Sequence, residues 1–408
     1  MRLAKCNAAD WVALIVAGLF AAPAYGAAII YNLGTLGGFI SYGYGLNEAG
    51  QVAGSGQLAG NDHYSHAFRY DGMPGSGGVM RDLGTLGGAN SDALGVNNAG
   101  QVAGSSQLIG GGISHAFRYD GTPGSGGIMR DLGHLGGSYS YGKGINVAGQ
   151  VAGYSLLNGQ SAGHAFRYDG TPGSGGVMRD LGTLGGIDSD AYAVNNAGEV
   201  AGFSNIAGNS ISHAFRYDGT PGSGGVMRDL GTLGGSRSGG YAINNAGQVA
   251  GFSDVTADTG QHAFLYDGTP GSGGVMRDLG TLGGTHSYAY ALNDAGQVAG
   301  WSYVTGLSTQ HAFLYVGTPG VDGQMIDLDT WLDANNPTEG AKWTLTQALS
   351  LTDSGLITGY ATYDDGAFGL SDGTRAFLLD ASSLVVPEPA SLSLLTLAGA
   401  TLLLCRRR

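Results

Sequence analysis

Along most of the chain, short stretches rich in β-branched and aromatic residues alternate with turns of Gly, Asn, Asp and Pro. No helical period runs through this region. One stretch shows the pattern in full. Strand a is expected near Asp92 to Val96, strand b from Gln101 to Ser105, strand c from His115 to Asp120 and strand d from Ile128 to Leu132. The a–b link, Asn97-Asn98-Ala99-Gly100, suits a tight turn whose last position takes a positive φ, which glycine adopts cheaply. The c–d link, DGTPGSGG, is so rich in Gly and Pro that it should continue neither strand.

This four-strand pattern recurs. The leucine of LG(T/H)LGG stands at Leu33, Leu83, Leu132, Leu181, Leu230 and Leu279, with a degenerate copy, DLDTWL, at Leu328. HAF(R/L)Y begins at His66, His115, His164, His213, His262 and His311, and returns altered as Arg375-Ala376-Phe377-Leu378-Leu379. The turn asparagine stands at Asn47, Asn97, Asn146, Asn195, Asn244 and Asn293, each followed three residues later by glycine; Thr352-Asp353-Ser354-Gly355 is the last copy. A period of about 49 residues with four antiparallel strands predicts a seven-bladed β-propeller. The ends fit this reading. The chain opens with a lone d-type strand, Ile29 to Leu33, and closes with a unit that lacks one, so the N-terminal strand is expected to complete the seventh sheet and close the ring, leaving no open end. A β-solenoid is the alternative; it too repeats, but needs no matching partial unit at each end.

The markers INxxGxVxG, HAFxY and DLGTLGG resemble the extracellular repeats of the HAF family over about residues 29 to 381. The last unit departs from the pattern, with Asp329 in place of glycine, Arg375 in place of histidine and an insertion around Trp331 to Trp343. The resemblance implies location and architecture, and no enzymatic activity comes with it.

The two ends suggest export. Arg2 and Lys5, the apolar run from Trp11 to Ala22 and the small-residue exit before Ala27 have the layout of a secretory signal peptide over residues 1–26. Residues 27–383 then form the repeat domain and 384–408 a tail. In the tail, Pro387, Glu388 and Pro389 precede an apolar segment, Leu392 to Leu404, and Arg406, Arg407 and Arg408 follow it. As a helix, Ala390 to Cys405 would span only ~24 Å at ~1.5 Å per residue, less than the ~30 Å of a bilayer core, which suits transient inner-membrane anchoring. This tail resembles a PEP-CTERM sorting signal. The resemblance implies cleavage by an exosortase and release to the cell surface or an extracellular polysaccharide matrix.

Composition removes several functions. Lys+Arg 18 against Asp+Glu 31 gives a net charge of -13, which opposes nucleic-acid binding. Glycine occupies 79 positions, but without a period of three, so the chain is not collagen. The only cysteines, Cys6 and Cys405, lie in the two terminal segments, so the repeats hold no disulfide and no thiolate metal site. The six repeated histidines occupy equivalent positions in different blades and cannot converge on one ion; each is expected to bond a neighbouring loop. The arginines of strands c and d, such as Arg69 and Arg81, are expected to pair with the aspartates of DLG. No GxSxG, HExxH or phosphate-loop pattern occurs, and no pair of acids is singled out for glycoside hydrolysis. Neither a metal nor a cofactor is expected.

What differs between the copies is one face, where the b–c and d–a links emerge. Its aromatics, Tyr64, Tyr154, Phe203, Phe252 and Trp301, together with Arg237 and His286, form the candidate ligand-binding set, of a kind used for carbohydrate: ring faces for stacking, polar groups for hydroxyls. The expected function is that of a noncatalytic surface or matrix protein binding extracellular polysaccharide. A structural scaffold binding surface proteins is the second reading, and a polysaccharide-active glycosidase or lyase the third.

Overall fold

A computed structural model describes residues 28–72, 76–159, 162–208, 211–256, 259–306, 309–366 and 372–385. The expected signal peptide, and the expected sorting tail from residue 386 on, including Pro387, Glu388, Pro389 and Arg406 to Arg408, lie outside these residues. Among the described residues no helix is long and apolar enough to cross a membrane.

The protein is all-β, built from four-stranded antiparallel sheets that recur along the chain. The second unit comprises strand a, Gly87–Val96, strand b, Val102–Leu108, strand c, Ser114–Thr122, and strand d, Ser125–Asp131, joined in that order. Five sheets have four strands. A sixth has eight, made of two such units linked only by a parallel bridge between Gln261 and His286. The strand Ile29–Asn32 pairs antiparallel with Gly373–Asp380, matching Ile30 to Leu379, and supplies the fourth strand of the last sheet.

Two local expectations change. The c–d link does not interrupt the ladder: strand c runs on through Thr122 and strand d begins at Ser125, with Thr122 facing both Ser125 and Gly126 in a bulge. Gly121, Gly124 and Gly126 all take positive φ there (96°, 73° and 82°), so glycine relieves the very strain that would have ended the strands. The degenerate DLDTWL segment is helical. Asp327 caps α1 (Leu328–Asn335), accepting from the amides of Asp329 at 3.0 Å and Thr330 at 3.2 Å, and α2 (Pro337–Gly340) follows.

Each unit packs on the next through the same elements. In strand b, Val102, Ala103 and Gly104 are buried, and a Cβ at Gly104 would stand 1.9 Å from the Asp92 carbonyl oxygen, so only glycine fits between the first two strands. Phe117 of strand c is fully buried and joins an apolar cluster with Ala67 and Leu83 of the preceding unit. Serines tie the units together: Ser91 Oγ accepts from the Ala67 amide at 2.8 Å and donates to the Gly84 carbonyl at 2.6 Å. Ser41 does the same for Ala376, at 3.0 Å, joining the last unit to the first. The largest apolar cluster lies at this end, uniting Ala28 and Ile30 with Leu314, Trp331, Trp343 and Leu379.

Candidate functional site

Strand a lines a shared interior space. Its a–b turns come together at a cavity of about 220 Å³ to which every unit contributes, from Asn47 and Glu48 to Leu351 and Asp353. A hydrogen-bond series builds this mouth. Asn47 Nδ2 donates to the Asn97 carbonyl at 2.9 Å, Asn97 to Asn146 at 2.8 Å, Asn146 to Asn195 at 2.9 Å, Asn195 to Asn244 and Asn244 to Asn293 at 3.0 Å each, and Asn293 to Thr352 at 3.2 Å. The same asparagines accept from their own turns, Asn97 Oδ1 taking the amides of Ala99 at 3.1 Å and Gln101 at 2.9 Å. Their hydrogen bonds are spent on structure, which is why this marker repeats so faithfully.

Beyond the mouth lies a smaller chamber of about 170 Å³, lined by Tyr44, Leu94, Lys143 and Leu349 and by aliphatic residues such as Val96 and Ile145. These four residues occupy one equivalent position, just before the end of strand a, where a bulge separates the pairs Gly142–Gly153 and Gly144–Ala152. Tyr192, Tyr241 and Tyr290 occupy it in the other units. The inner strands approach closely because the flanking residues are small: a Cβ at Gly144 would meet the Ala193 Cα at 2.8 Å.

The wall changes character from unit to unit. On one side it is aromatic: Tyr192 and Tyr241 lie 4.7 Å apart, Tyr241 stacks on Tyr290 at 5.0 Å, and Tyr288 stands 5.0 Å from Phe252 and stacks on Trp301 at 4.7 Å. Burial, reinforced by Tyr290, pushes the Tyr288 hydroxyl up to about 12. At the edge of this aromatic stretch it is charged. Lys143 Nζ lies 2.6 Å from Asp190 Oδ2 and 3.6 Å from the centre of the Tyr192 ring. Burial raises the Asp190 carboxyl, opposed by Lys143, and likewise raises Asp92, opposed by a hydrogen bond with Ser55 of the preceding unit.

The expected ligand-binding residues do not form one exposed loop surface. Tyr154, Phe203, Phe252 and Trp301 lie within strand b, at the position after Val-Ala-Gly, because the ladder continues past that glycine to the end of the strand. Tyr154, Phe203 and Phe252 are half-buried, and Trp301 is only 8% exposed. Phe203, Phe252 and Trp301 join the aromatic wall through Tyr192, Tyr241 and Tyr288, while Tyr154 meets Tyr141 at 6.5 Å. Tyr64 stands apart on strand c of the first unit, 42% exposed. Arg237 and His286 lie on strand a, where Arg237 Nε is 2.9 Å from the buried Asp254 and His286 Nδ1 is 2.7 Å from Thr285 Oγ1.

The repeated charged residues have partners different from those expected. His66 Nδ1 lies 2.9 Å from Asp82, the aspartate of DLG, and His115, His164, His213, His262 and His311 make the equivalent pairs. The histidine therefore takes the acid that sequence reasoning assigned to arginine. Arg69 instead bonds Asp71 two residues along its own strand, at 2.7 Å, and Arg118 bonds Asp120 at 3.0 Å. The cause is strand alternation: Arg69 and Asp71 share a face, and Arg69 lies opposite Arg81, not Asp82. Among the described residues no cluster of three or more His, Cys, Asp or Glu is arranged to hold a metal ion.

The fold and its interior wall define an all-β repeat protein with one asymmetric inner surface. No family model matches the chain, and no curated protein matches it either.

Proposed function

We propose that this chain is a secreted, noncatalytic protein of the cell surface or extracellular matrix, folded as a closed seven-bladed propeller, that binds polysaccharide along the wall of its axial space. The closed ring is supported by the N-terminal strand in the last sheet, by the Ser41–Ala376 bond and by a mouth to which all seven turns contribute. Export and release follow from the resemblance of the two ends to a signal peptide and a PEP-CTERM signal, with exosortase as the processing partner, and the HAF-like repeats agree with an extracellular place.

The observation that carries the binding reading is where the copies differ. Drift in copied repeats accumulates in exposed loops. Here half-buried inner positions also differ: tyrosine, leucine and lysine alternate before the end of strand a, and serine, tyrosine, phenylalanine and tryptophan follow Val-Ala-Gly in strand b. The result is an aromatic sector with a charged pair at its edge, which suits a sugar's apolar ring face and its hydroxyls. Co-sedimentation of the mature protein with extracellular polysaccharide from the producing cells tests this. Saturable binding weakened by Tyr241→Ala or Phe252→Ala supports it; absence of binding overturns it in favour of a scaffold that holds surface proteins.

A further inference from the structure

The outermost strand of a unit is its most exposed and, in five units, the least varied. Strand d of the second unit, Ser125–Asp131, is exposed at five of its seven residues. Its sequence, SGGIMRD, returns as SGGVMRD in the first, third, fourth and fifth units, while the b–c links and the inner strand differ from copy to copy. Some of this constancy has a structural cause: Arg130 lies by Asp120, Asp131 holds His115, and Met129 packs on the cluster around Phe117. The core does not account for Val79, Ile128, Val177, Val226 and Val275, which are 45–49% exposed. Strand propensity alone would accept threonine there as readily.

The edge beside these side chains is open, since among the described residues strand d pairs with strand c alone. The Leu132 amide donates inward to the Ala116 carbonyl at 2.9 Å. By the alternation of an antiparallel ladder, Ile128 and Arg130 also bond toward strand c, and Gly127, Met129 and Asp131 turn their N–H and C=O groups outward. Neither a proline nor a bulge interrupts this edge from Gly127 to Asp131, although native edges are commonly blunted by such devices. The sixth and seventh units differ. Their outer strands, Gln324–Asp327 and Ile29–Asn32, have four residues each; the sixth carries Gln324 at the aliphatic position and runs directly into α1.

We propose that the five edges are contact sites for further copies of this chain: strand d of one copy pairs antiparallel with strand d of another about a two-fold axis at Ile128 or its counterpart. The strand is complementary to itself in that register, which overlaps the whole of Ser125–Asp131. Ile128 faces Ile128 of the second copy, so the exposed aliphatic surface is covered. Arg130 faces Gly126, which has no side chain to crowd it, and Asp131 faces Ser125, a hydroxyl donor for its carboxylate. The outward groups of Gly127 meet those of Met129. An axis at Arg130 would instead set two arginines directly opposite each other. One such contact is small and weak. Five on each copy let pairing propagate, so the copies join in an extended assembly held by many weak contacts, not in a closed dimer. These edges are separate from the axial wall, and the assembly does not depend on polysaccharide binding.

Sedimentation velocity of the mature protein tests this. Its average mass is expected to roughly double or more over an about hundredfold rise in concentration. Val79→Lys/Ile128→Lys/Val177→Lys/Val226→Lys/Val275→Lys sets two lysines face to face in every contact and is expected to stay monomeric. The replaced side chains are exposed, so its circular dichroism should match that of the wild type. A second arm needs only one substitution, because the mature protein holds neither Cys6 nor Cys405. In Ile128→Cys the two introduced thiols face each other in a non-hydrogen-bonded pair, ~4.5 Å between Cα atoms, within the ~4.4–6.8 Å that a disulfide spans. Oxidation is expected to link copies roughly tenfold faster in Ile128→Cys than in Arg130→Cys, whose thiol faces Gly126. A wild type that stays monomeric overturns the proposal. So does assembly that persists in the folded lysine variant, or equal cross-linking at 128 and 130; should the lysine variant fail to fold, the cross-linking comparison decides alone.

Discussion

Arg118 Nη1 donates to the carbonyl of Gly149, 2.8 Å away and in the a–b turn of the following unit. The same guanidinium reaches Gly170 at 3.1 Å and Asp120 at 3.0 Å, so one buried arginine binds its own strand to two loops of its neighbour. Arg69, Arg167 and Arg216 repeat the arrangement. From the fifth unit onward leucine replaces arginine, at Leu265, Leu314 and Leu378, and all three are buried. The first units are thus tied by charged hydrogen bonds and the last by apolar packing, Leu314 within the largest apolar cluster and Leu265 and Leu378 within two others.

Arg118→Ala should therefore destabilise the protein by about 3 kcal/mol, because it takes the guanidinium donor from the Gly149 and Gly170 carbonyls and leaves Asp120 with only Gln101 and the more distant Arg130. Arg118→Leu/Asp120→Val, which copies Leu314 and Val316, should cost about 1 kcal/mol or less. Chemical denaturation of the two variants checks the difference, and equal losses would contradict the account.

A second series of bonds links the turns at the mouth, with one gap. The amide of Val147 donates to Asn196 Oδ1 at 3.2 Å, Asn196 to Asn245 Oδ1 at 3.0 Å, Asn245 to Asp294 Oδ1, Asp294 to Asp353 Oδ1 and Asp353 to Glu48 Oε1 at 2.8 Å each, and Glu48 to Asn98 Oδ1 at 3.1 Å. Asn98 finds no such acceptor, because the next residue in the series is Val147, half-exposed. Val147→Asn should complete the series and stabilise the protein by about 1 kcal/mol. A denaturation midpoint no higher than wild type would refute this.

The His–Asp pairs make stability depend on pH in a defined direction. Burial raises Asp82, Asp180, Asp229 and Asp278, but the hydrogen bond from the paired histidine and the amide two residues on outweigh it, and each carboxyl sits below its usual value. Their contribution is present above the unfolded carboxylate pKa of about 3.9 and is lost as pH falls through the lower folded values. His213 shifts the other way: the hydrogen bond to Asp229 raises it despite burial. Its contribution is complete below the unfolded histidine pKa of about 6.5 and fades as pH rises through the folded value. Urea midpoints between pH 3 and 8 should peak between about 4 and 6.5, and His213→Gln should flatten the alkaline side. A profile unchanged by that substitution would count against the pairing.

Removing Ala28 to Leu33 should lower stability by at least about 3 kcal/mol, since Ile30 and Leu33 are buried and each such side chain contributes ~1.5–3 kcal/mol. It would also strip the partner from strand Gly373–Asp380. Thermal melting of the shortened chain checks this; a melt like that of the full chain would rule out the closed ring.

Much of the fold was legible because copies reveal which residues a unit cannot change. Turn asparagines, glycines and the alternation of Val-Ala-Gly against His-Ala-Phe placed four strands per unit and the lone first strand. The c–d hairpin was missed because Gly and Pro end strands on average, whereas Gly121 and Gly126 bend one without ending it. The helical turn at Leu328 was hidden because DLDTWL still reads as a worn copy of the strand marker, although Asp327 is also a good cap.

The candidate site was less legible. The one available signal was the segment small–X–small–aliphatic, as in Gly142-Lys143-Gly144-Ile145 and Ala191-Tyr192-Ala193-Val194, whose X varies while its neighbours stay small.

By itself, the sequence determined the period, the strand count and the turns, because these depend on residues within about 49 positions and on local backbone chemistry. Only the tertiary structure decided which acid each arginine and histidine meets, and that Asp190 and Lys143, 47 residues apart, touch. Those contacts depend on which face of a strand each side chain takes and on how one sheet is set against the next, and no local preference encodes either.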